Sequence, residues 1–493
     1  MLGYLLLTVA LVLVAFHFWK RRYLPPGPYG LPIVGYLPWL NPKSPYLTLT
    51  DLSKKYGSIY GLNLGSVYTV VLTNPKTIRT TFSKDATTGR APLYLTHGIM
   101  KGYGLICAEG NLWKDQRKFI HSCLRNLGGS KISPHKGRME ALIMKHVLEF
   151  VEWAKETNEE FVDPLEPLRH SVGSIMNTIV FGRTWSRDDE TWKWLQHLQE
   201  EGIKHIGVAG PLNFLPFLRF APTFNRTMRF LIQGKLKTHR FYQKVIDEER
   251  VSSSGPDGNL DTDTYTNLIQ GFLIEREKRR DTDDFGRYYS DQQFYHLLAD
   301  VFGAGLDTTL TTLRWFLLYM ATRPDLQQKA RDEISTVLGD SLLSCECQSK
   351  LPFVEACIAE TQRIRSVVPL GIPHGTVSDI EIDGYRIPKG TMLVPLQWAI
   401  HMNDVEYKNS NEFNPYNFYK DGVFLKRDNF IPFQNGKRMC VGDELARMML
   451  FLFCSVTLIS FKLGLDDKGE PNLEGECGIT LTPKSYRLKF ISI

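Results

Sequence analysis

The sequence predicts a mainly α protein with minor β, one large domain held behind an N-terminal membrane anchor. Three observations carry this. Helical patterns dominate from about Trp113 to Phe461, while strand-like runs lie near the two ends of the chain. Strands and helices do not alternate and no repeat recurs, which disfavours a parallel βαβ sheet. The opening segment is apolar and uncharged, unlike everything after it. Composition sets the remaining bounds. With 43% hydrophobic and 23% charged residues, the 493-residue chain is an ordinary globular protein long enough for a large core. Its net charge of +6 is spread without a dense Lys/Arg tract, so nothing points to nucleic acid. An acidic protein partner or an anionic membrane surface suits it better.

Residues 2–19 are almost wholly apolar, about the shortest length that spans a bilayer, and Lys20, Arg21 and Arg22 follow at once. A cleaved signal peptide has its positive charge before the apolar run and small residues at the cut. Here the order is reversed, and Phe16, Phe18 and Trp19 stand where cleavage would occur. Residues 1–22 therefore read as an uncleaved anchor with its basic end on the cytoplasmic side. In the link over 23–35, Pro25, Pro26, Pro28 and Pro32 stiffen the chain and deny it helix. The domain then occupies 36–493. Its first clear element is a hairpin, Ile59 to Leu64 and Val67 to Leu72, turning at Gly65-Ser66. Ser252 to Asn259 is a polar loop. The most legible helix starts at Ser290, which makes a capping box with Gln293, and stays apolar to about Ala321. Gly303 and Gly305 lie inside it, each costing on the order of 1 kcal/mol relative to Ala. Close packing is one reason for them; a bulky ligand against the backbone is another. A later helix is expected from about Asp443 to Leu458, and strand-like runs return at Gly478–Thr482 and Tyr486–Ile491.

The eight cysteines are too sparse for a disulfide framework and suit a reducing compartment. Cys345 and Cys347 are close, but no zinc spacing completes them. Cys440 is different because of its surroundings. Phe433-Gln434-Asn435-Gly436-Lys437-Arg438-Met439-Cys440-Val441-Gly442 fits F-x-x-G-x-R-x-C-x-G at every fixed position. A chance match in a chain this long is on the order of one in ten thousand. A lone thiolate is a soft, electron-donating ligand for a transition metal. Glycines let the backbone approach a bulky ligand, and a helix starting just beyond favours the thiolate.

Cys440 and its loop resemble the cysteine loop of the cytochrome P-450 family, and other motifs extend the likeness. Ala304-Gly305-Leu306-Asp307-Thr308-Thr309 matches A/G-G-x-D/E-T-T/S, Glu360-Thr361-Gln362-Arg363 matches E-x-x-R, and Trp113 with Arg117 matches W-x-x-x-R. The resemblance runs from the anchor to the C-terminus and is strongest to the microsomal branch. It implies the cytochrome P-450 fold and a monooxygenase. The cofactor would be haem (iron protoporphyrin IX) with Cys440 as the axial thiolate and metal ligand. O2 and NADPH would be co-substrates. Phe433, Ala304 and Gly305 would lie against the haem, with Gly305 making room for dioxygen. Asp307 and Thr308 would be catalytic, relaying protons side by side. Trp113, Arg117, His374, Arg438 and Lys101 would hold the haem propionates. Glu360 and Arg363 would brace the cysteine loop. The family's third brace residue is an Arg or His; this chain has Asn417, which leaves the brace one charge short.

The same resemblance implies a substrate pocket of Val368, Leu370, Ile372 and Ile479, suited to a hydrophobic small molecule. Phe433 to Arg447 and Pro369–Gly375 look most like arthropod steroid-hormone hydroxylases, with carbon 25 of an ecdysteroid precursor as the expected target. A fatty-acid or xenobiotic hydroxylase is the alternative. A peroxide-rearranging haem-thiolate enzyme tends to lose the acid–Thr pair, which this chain keeps. Residues 206–224, crowded with Leu212, Phe214, Leu215, Phe217, Leu218, Phe220 and Phe224 among prolines, would dip into the bilayer. Lys114, Lys118, Arg125, Lys131 and Lys437 would form a docking face for NADPH–cytochrome P-450 reductase, with cytochrome b5 as a second partner. The enzyme would sit on the endoplasmic reticulum membrane with its domain cytoplasmic, so the sequon at Asn225 would stay unmodified.

Overall fold

A computed structural model describes residues 22–206, 210–253, 265–339, 341–466 and 471–493. The expected hairpin forms as β1 (Ile59–Leu64) and β2 (Val67–Leu72), antiparallel, with Ile59 opposite Leu72 and Leu64 opposite Val67. Val70, Val71 and Leu72 are fully buried, so β2 cannot be an edge. It is covered by a strand from more than 300 residues later. With β3 (Gly89–Arg90), β4 (His374–Gly375) and β5 (Met392–Pro395), the sheet runs in the order β1-β2-β5-β4-β3. β5 lies parallel to β2, Thr69 opposite Met392, and His374 pairs with Arg90 on one side and Leu393 on the other.

The helical block contains α1 (Gly110–Asn126), α2 (Lys136–Glu156), α3 (Leu165–Phe181), α4 (Glu190–Ile206), α5 (Pro222–Ser253), α6 (Asp291–Thr322), α7 (Pro352–Ile364) and α8 (Asp443–Ser460). α6 starts where the capping box places it, with the Ser290 hydroxyl accepting from Gln293 N at 3.2 Å. It spans about 48 Å, and from Thr309 to Ala321 every residue is buried, so its second half is a core helix packed on α3, α7 and α8. α8 is buried almost continuously from Met448 to Leu458. These helices share one large apolar core, and the sheet has a smaller core of its own.

Some expectations need correction. Short strands interrupt the stretch read as helical: β4, β5, and the pair Ile380–Ile382 with Tyr385–Ile387. Gly478–Thr482 is mostly the turn of a hairpin, with strand only at Leu481–Thr482 opposite Glu476–Cys477. The last strand, β7 (Leu488–Ser492), pairs with β6 (Phe461–Leu465). The proline-rich link is docked against β1, since Gly61 N donates to the Pro26 carbonyl at 2.8 Å and Gly35 pairs with Leu64. The anchor, apart from Arg22, lies outside the described residues. Among those residues no helix is long and apolar enough to cross a membrane. Most of the Ser252–Asn259 loop also lies outside them. Residues 211–220 divide: Phe214 and Leu215 are buried against the sheet, whereas Phe217 and Phe220 are 54% and 74% exposed. The segment is therefore half core loop and half exposed apolar surface.

Candidate active site

The loop around Cys440 is shaped by its own backbone. Gly436 has φ +84°, and a Cβ there would lie 2.3 Å from the Phe82 carbonyl oxygen. Only glycine fits that approach. Lys437 N donates to the same oxygen at 3.0 Å, and Cys440 N donates to Phe433 O at 3.0 Å. Gly442, the residue before α8, has an ordinary φ of −106° and open space where a Cβ would stand, so the glycine argument holds at 436 and not at 442. The Arg447 guanidinium lies 4.6 Å above the Phe433 ring. Cys440 presents open surface, yet burial is the largest influence on its thiol and pushes the pKa up. The two observations agree if the sulfur looks into a space enclosed by protein. The Gly442 N–H, Arg117 and Arg447 pull the other way, toward the thiolate, while Asp443 adds to burial.

α6 supplies the second part. Ala304 is exposed despite its interior position, and the Thr308 hydroxyl donates to its carbonyl at 2.7 Å. Gly305 does not make the room expected of it for dioxygen. Its missing Cβ is replaced by Met176 of α3, whose Cε would stand 2.4 Å away, so this glycine serves helix packing. Gly303 likewise leaves room for Gln199 of α4, which donates to the Gly303 carbonyl at 3.0 Å. Asp307 and Thr308 do not lie side by side, because neighbours on a helix point about 100° apart. Asp307 instead accepts a 2.8 Å hydrogen bond from Thr480, 2% exposed, in the C-terminal hairpin. Burial raises the Asp307 pKa; the Thr480 bond and the charges of Arg169 and Arg314 oppose this. Thr480 carried no motif signal and was missed by sequence reasoning.

The third part is a buried cationic cluster. Arg438 donates Nε to Thr88 O at 2.6 Å and a further N–H to Ala108 O, and it lies 4.5 Å over the buried Trp113 ring. Arg90, at the sheet edge in β3, donates Nε to Ile106 O at 2.6 Å. Burial lowers the pKa of Arg438 to about 8 and of Arg90 to about 10; Arg90 and Arg117 depress Arg438 further, and Arg117 depresses Arg90. Arg117 also faces this region, lowered by burial and raised by Cys440 and Asp443. None of the three guanidiniums forms an ion pair with a carboxylate among the described residues, although Glu109 supports Arg90 and Arg438 at longer range. His374 stacks on Phe82 at 3.8 Å and its Nδ1 meets Thr87 O at 2.9 Å. Its Nε2 is buried and makes no hydrogen bond, although the Gln434 side chain is near enough to raise its pKa against burial. Several buried donors without an anionic partner fit a group that brings two carboxylates. The residues present therefore fit haem, and Arg117 links them to the thiol, since its charge and that of Cys440 are felt by each other. Arg90 belongs to this cluster and was not foreseen. Lys101 does not join it: Lys101 is exposed, and its charge is felt by Lys235.

Behind the cysteine loop, Glu360 and Arg363 are both fully buried, and their bidentate contacts measure 2.8 and 2.7 Å. Arg363 also donates to the His401 and Ser410 carbonyls at 2.8 and 2.9 Å. Asn417 does not leave the carboxylate uncovered. Its Nδ2 reaches both oxygens at 3.3 Å, and Asn414 N adds a 2.8 Å bond. Of the four expected pocket residues, Val368, Ile372 and Ile479 are partly open. Leu370 is buried in the sheet core with Met392 and Val394.

A thiol at the head of α8, a cationic recess suited to two carboxylates and a braced loop fit a haem-thiolate protein. Comparison with known proteins gives its family. The description "Cytochrome P450" matches residues 25–490. Cytochrome P450 306a1 of Drosophila melanogaster is 41% identical, the alignment covering 100% of this chain and 94% of that protein. Cytochrome P450 18a1 of the same organism is 33% identical, with 99% and 90% covered. Human cytochrome P450 2J2 is also 33% identical, with 98% and 95% covered. The chain belongs to the cytochrome P450 family and is a monooxygenase with a haem-thiolate cofactor.

Proposed function

We propose that Cys440 is the axial ligand and that the enzyme hydroxylates the side chain of a steroid, with carbon 25 of an ecdysteroid precursor as its target. The net reaction converts a substrate C–H, O2, NADPH and a proton to an alcohol, water and NADP+. The haem supplies oxygen activation when bound. The chain holds it through Arg90, Arg117, Arg438, Trp113 and His374, whose donors suit its two carboxylates. Thr308, whose hydroxyl donates to the Ala304 carbonyl, carries the exchangeable hydroxyl proton of the relay. Asp307, tied to Thr480 and raised in pKa by burial, supplies protons to that relay.

The observation that carries the steroid reading is the lining itself. Ala304 is exposed and Val368, Ile372 and Ile479 are partly open; all four are aliphatic, and none offers a charge. Such a wall accepts a rigid apolar body and selects a carbon by shape, at about 1–3 kcal/mol per methylene. The likeness of Phe433–Arg447 and Pro369–Gly375 to arthropod steroid-hormone hydroxylases supports the same substrate. Residues 1–22 anchor the protein to the endoplasmic reticulum membrane, and the exposed Phe217 and Phe220 add a second apolar contact. Electrons arrive from a reductase docked on exposed Lys118, Arg125 and Lys131, with Lys114 and Lys437, which share Asp85, at the rim.

The test incubates reconstituted enzyme, reductase and NADPH with an ecdysteroid precursor lacking the 25-hydroxyl. Mass spectrometry should find the 25-alcohol. Turnover of fatty acids with none of the precursor would reject the steroid substrate and leave the monooxygenase standing.

A further inference from the structure

We propose that Arg427 is the positioning cation that completes the brace behind the cysteine loop, working through Asn417 in place of a charged residue at 417. The proposal rests on the reading of Cys440 as the iron ligand. Glu360 is a buried carboxylate, and an amide is a weak substitute for a cation beside it. The Asn417 Nδ2 contacts at 3.3 Å lie at the long end for hydrogen bonds and carry no net charge. Such contacts last only if the asparagine is held from elsewhere. Asn417 N is tied locally, donating to Asn414 O at 3.0 Å. Its carbonyl accepts a 2.5 Å bond from Arg427 Nε, ten residues onward. That bond is charge-assisted and partly buried, which makes it the strongest hold on the asparagine backbone.

A second contact makes the arrangement more than a local turn. The guanidinium of Arg427 lies 5.4 Å from the centre of the Tyr407 ring, and that of Arg363 lies 4.9 Å from the same centre. Tyr407 is fully buried and donates its hydroxyl to Asn429 Oδ1 at 3.1 Å. One aromatic ring therefore serves both cations of the brace. From Arg427 the bonds continue toward Cys440. Phe430 N donates to Arg427 O at 3.2 Å, Ile431 N to His401 Nε2 at 3.0 Å, and Gln434 N to Ile431 O at 3.0 Å. His401 itself offers its carbonyl to Arg363. A closed circuit thus links Glu360, Arg363, Tyr407, Asn417 and Arg427 to the segment that enters the cysteine loop. Arg427 touches no reacting group, so its effect must pass through that segment.

The experiment uses the full-length haem protein, reduced under carbon monoxide, and follows loss of the strongly red-shifted Soret band in moderate urea. Arg427→Ala should lose the band about tenfold faster than the parent, the effect expected for one charge-assisted bond. Arg427→Lys should fall between. Asn417→Arg combined with Arg427→Ala should return to within about twofold of the parent, because the cation is restored at the carboxylate. Amide exchange over residues 428–436 should quicken in Arg427→Ala while exchange in α6 stays unchanged, a readout independent of the iron ligand. Absence of the red-shifted band in the parent would reject Cys440 ligation, and the exchange data would still judge Arg427. Equal band loss and equal exchange in Arg427→Ala, or no rescue by Asn417→Arg, would overturn the proposal. If Arg427→Ala yields no folded protein, Arg427→Lys with and without Asn417→Arg makes the same comparison, and equal rates there would overturn it too.

Discussion

At Cys440 burial raises the thiol pKa against the Gly442 N–H and the two nearby arginines, and the proposed iron ligation would take the sulfur as thiolate. The reduced carbon monoxide complex of the intact protein should therefore show the thiolate-type red shift, and Cys440→Ala should abolish it. A Cys440→Ala protein that kept the band would reject the assignment. Gly436 allows a sharper estimate. Alanine there meets the Phe82 carbonyl at 2.3 Å from a left-handed backbone, so Gly436→Ala should cost about 1–3 kcal/mol and lower haem retention. Thermal denaturation with haem absorbance as the probe checks this, and an unchanged midpoint would contradict it. Thr480 is tested through coupling. Thr480→Val removes the only hydrogen bond to the Asp307 carboxylate found among the described residues, so product per NADPH should drop several-fold and hydrogen peroxide should rise, while Thr480→Ser keeps the parent ratio. Equal coupling in all three proteins would remove Thr480 from proton delivery.

At the scale of elements, a carboxylate of α6 helps to fasten that helix to the loop before α1. Asp300 accepts from Leu105 N and Ile106 N at 2.7 and 2.8 Å. Burial raises its pKa from 3.8 to about 6, against those two bonds and Arg90. The sign follows directly. Between the two values the folded protein binds the proton and the unfolded chain does not. This group's contribution is therefore fully present below about pH 4 and is lost as pH rises through about 6. Asparagine cannot titrate. The stability difference between the parent and Asp300→Asn should thus change across pH 4–6 and be flat above 7. Parallel urea titrations would measure it, and a constant difference over the whole range would refute the linkage. Other features of these elements were readable beforehand, because they are local. The Ser290 cap with Gln293, the hairpin register about Gly65-Ser66 and the start of α8 at Asp443 all depend on residues a few positions apart.

For the whole molecule, the proposed attachment to a membrane would involve more than one segment. Removing residues 1–22 should weaken association with microsomal-type vesicles without abolishing it, because Phe217 and Phe220 remain exposed on the body. A truncated protein found entirely in the supernatant at low salt would remove that second contact. The cationic recess shows why part of the site escaped sequence reasoning. Arg438, Trp113, Arg117 and His374 follow from motifs and resemblance, but Arg90 reaches them only because β3 is paired with β4, almost 300 residues away. Lys101 looked equivalent on paper and points elsewhere.

The sequence by itself determined the family and the cofactor chemistry, and it pointed to Cys440 as the proposed ligand, because F-x-x-G-x-R-x-C-x-G encodes a loop whose turns, donors and thiol are consecutive in the chain. It also determined the hairpin and the long helix, whose periodicity and caps are short-range. Only the tertiary structure decided what Gly305 is for, that Asp307 rests on Thr480, that Leu370 is core and that Asn417 still covers Glu360. Each of these depends on which distant side chain fills a space or meets a lone pair. Such partners are chosen when the chain closes on itself, and no pattern along the sequence records the choice.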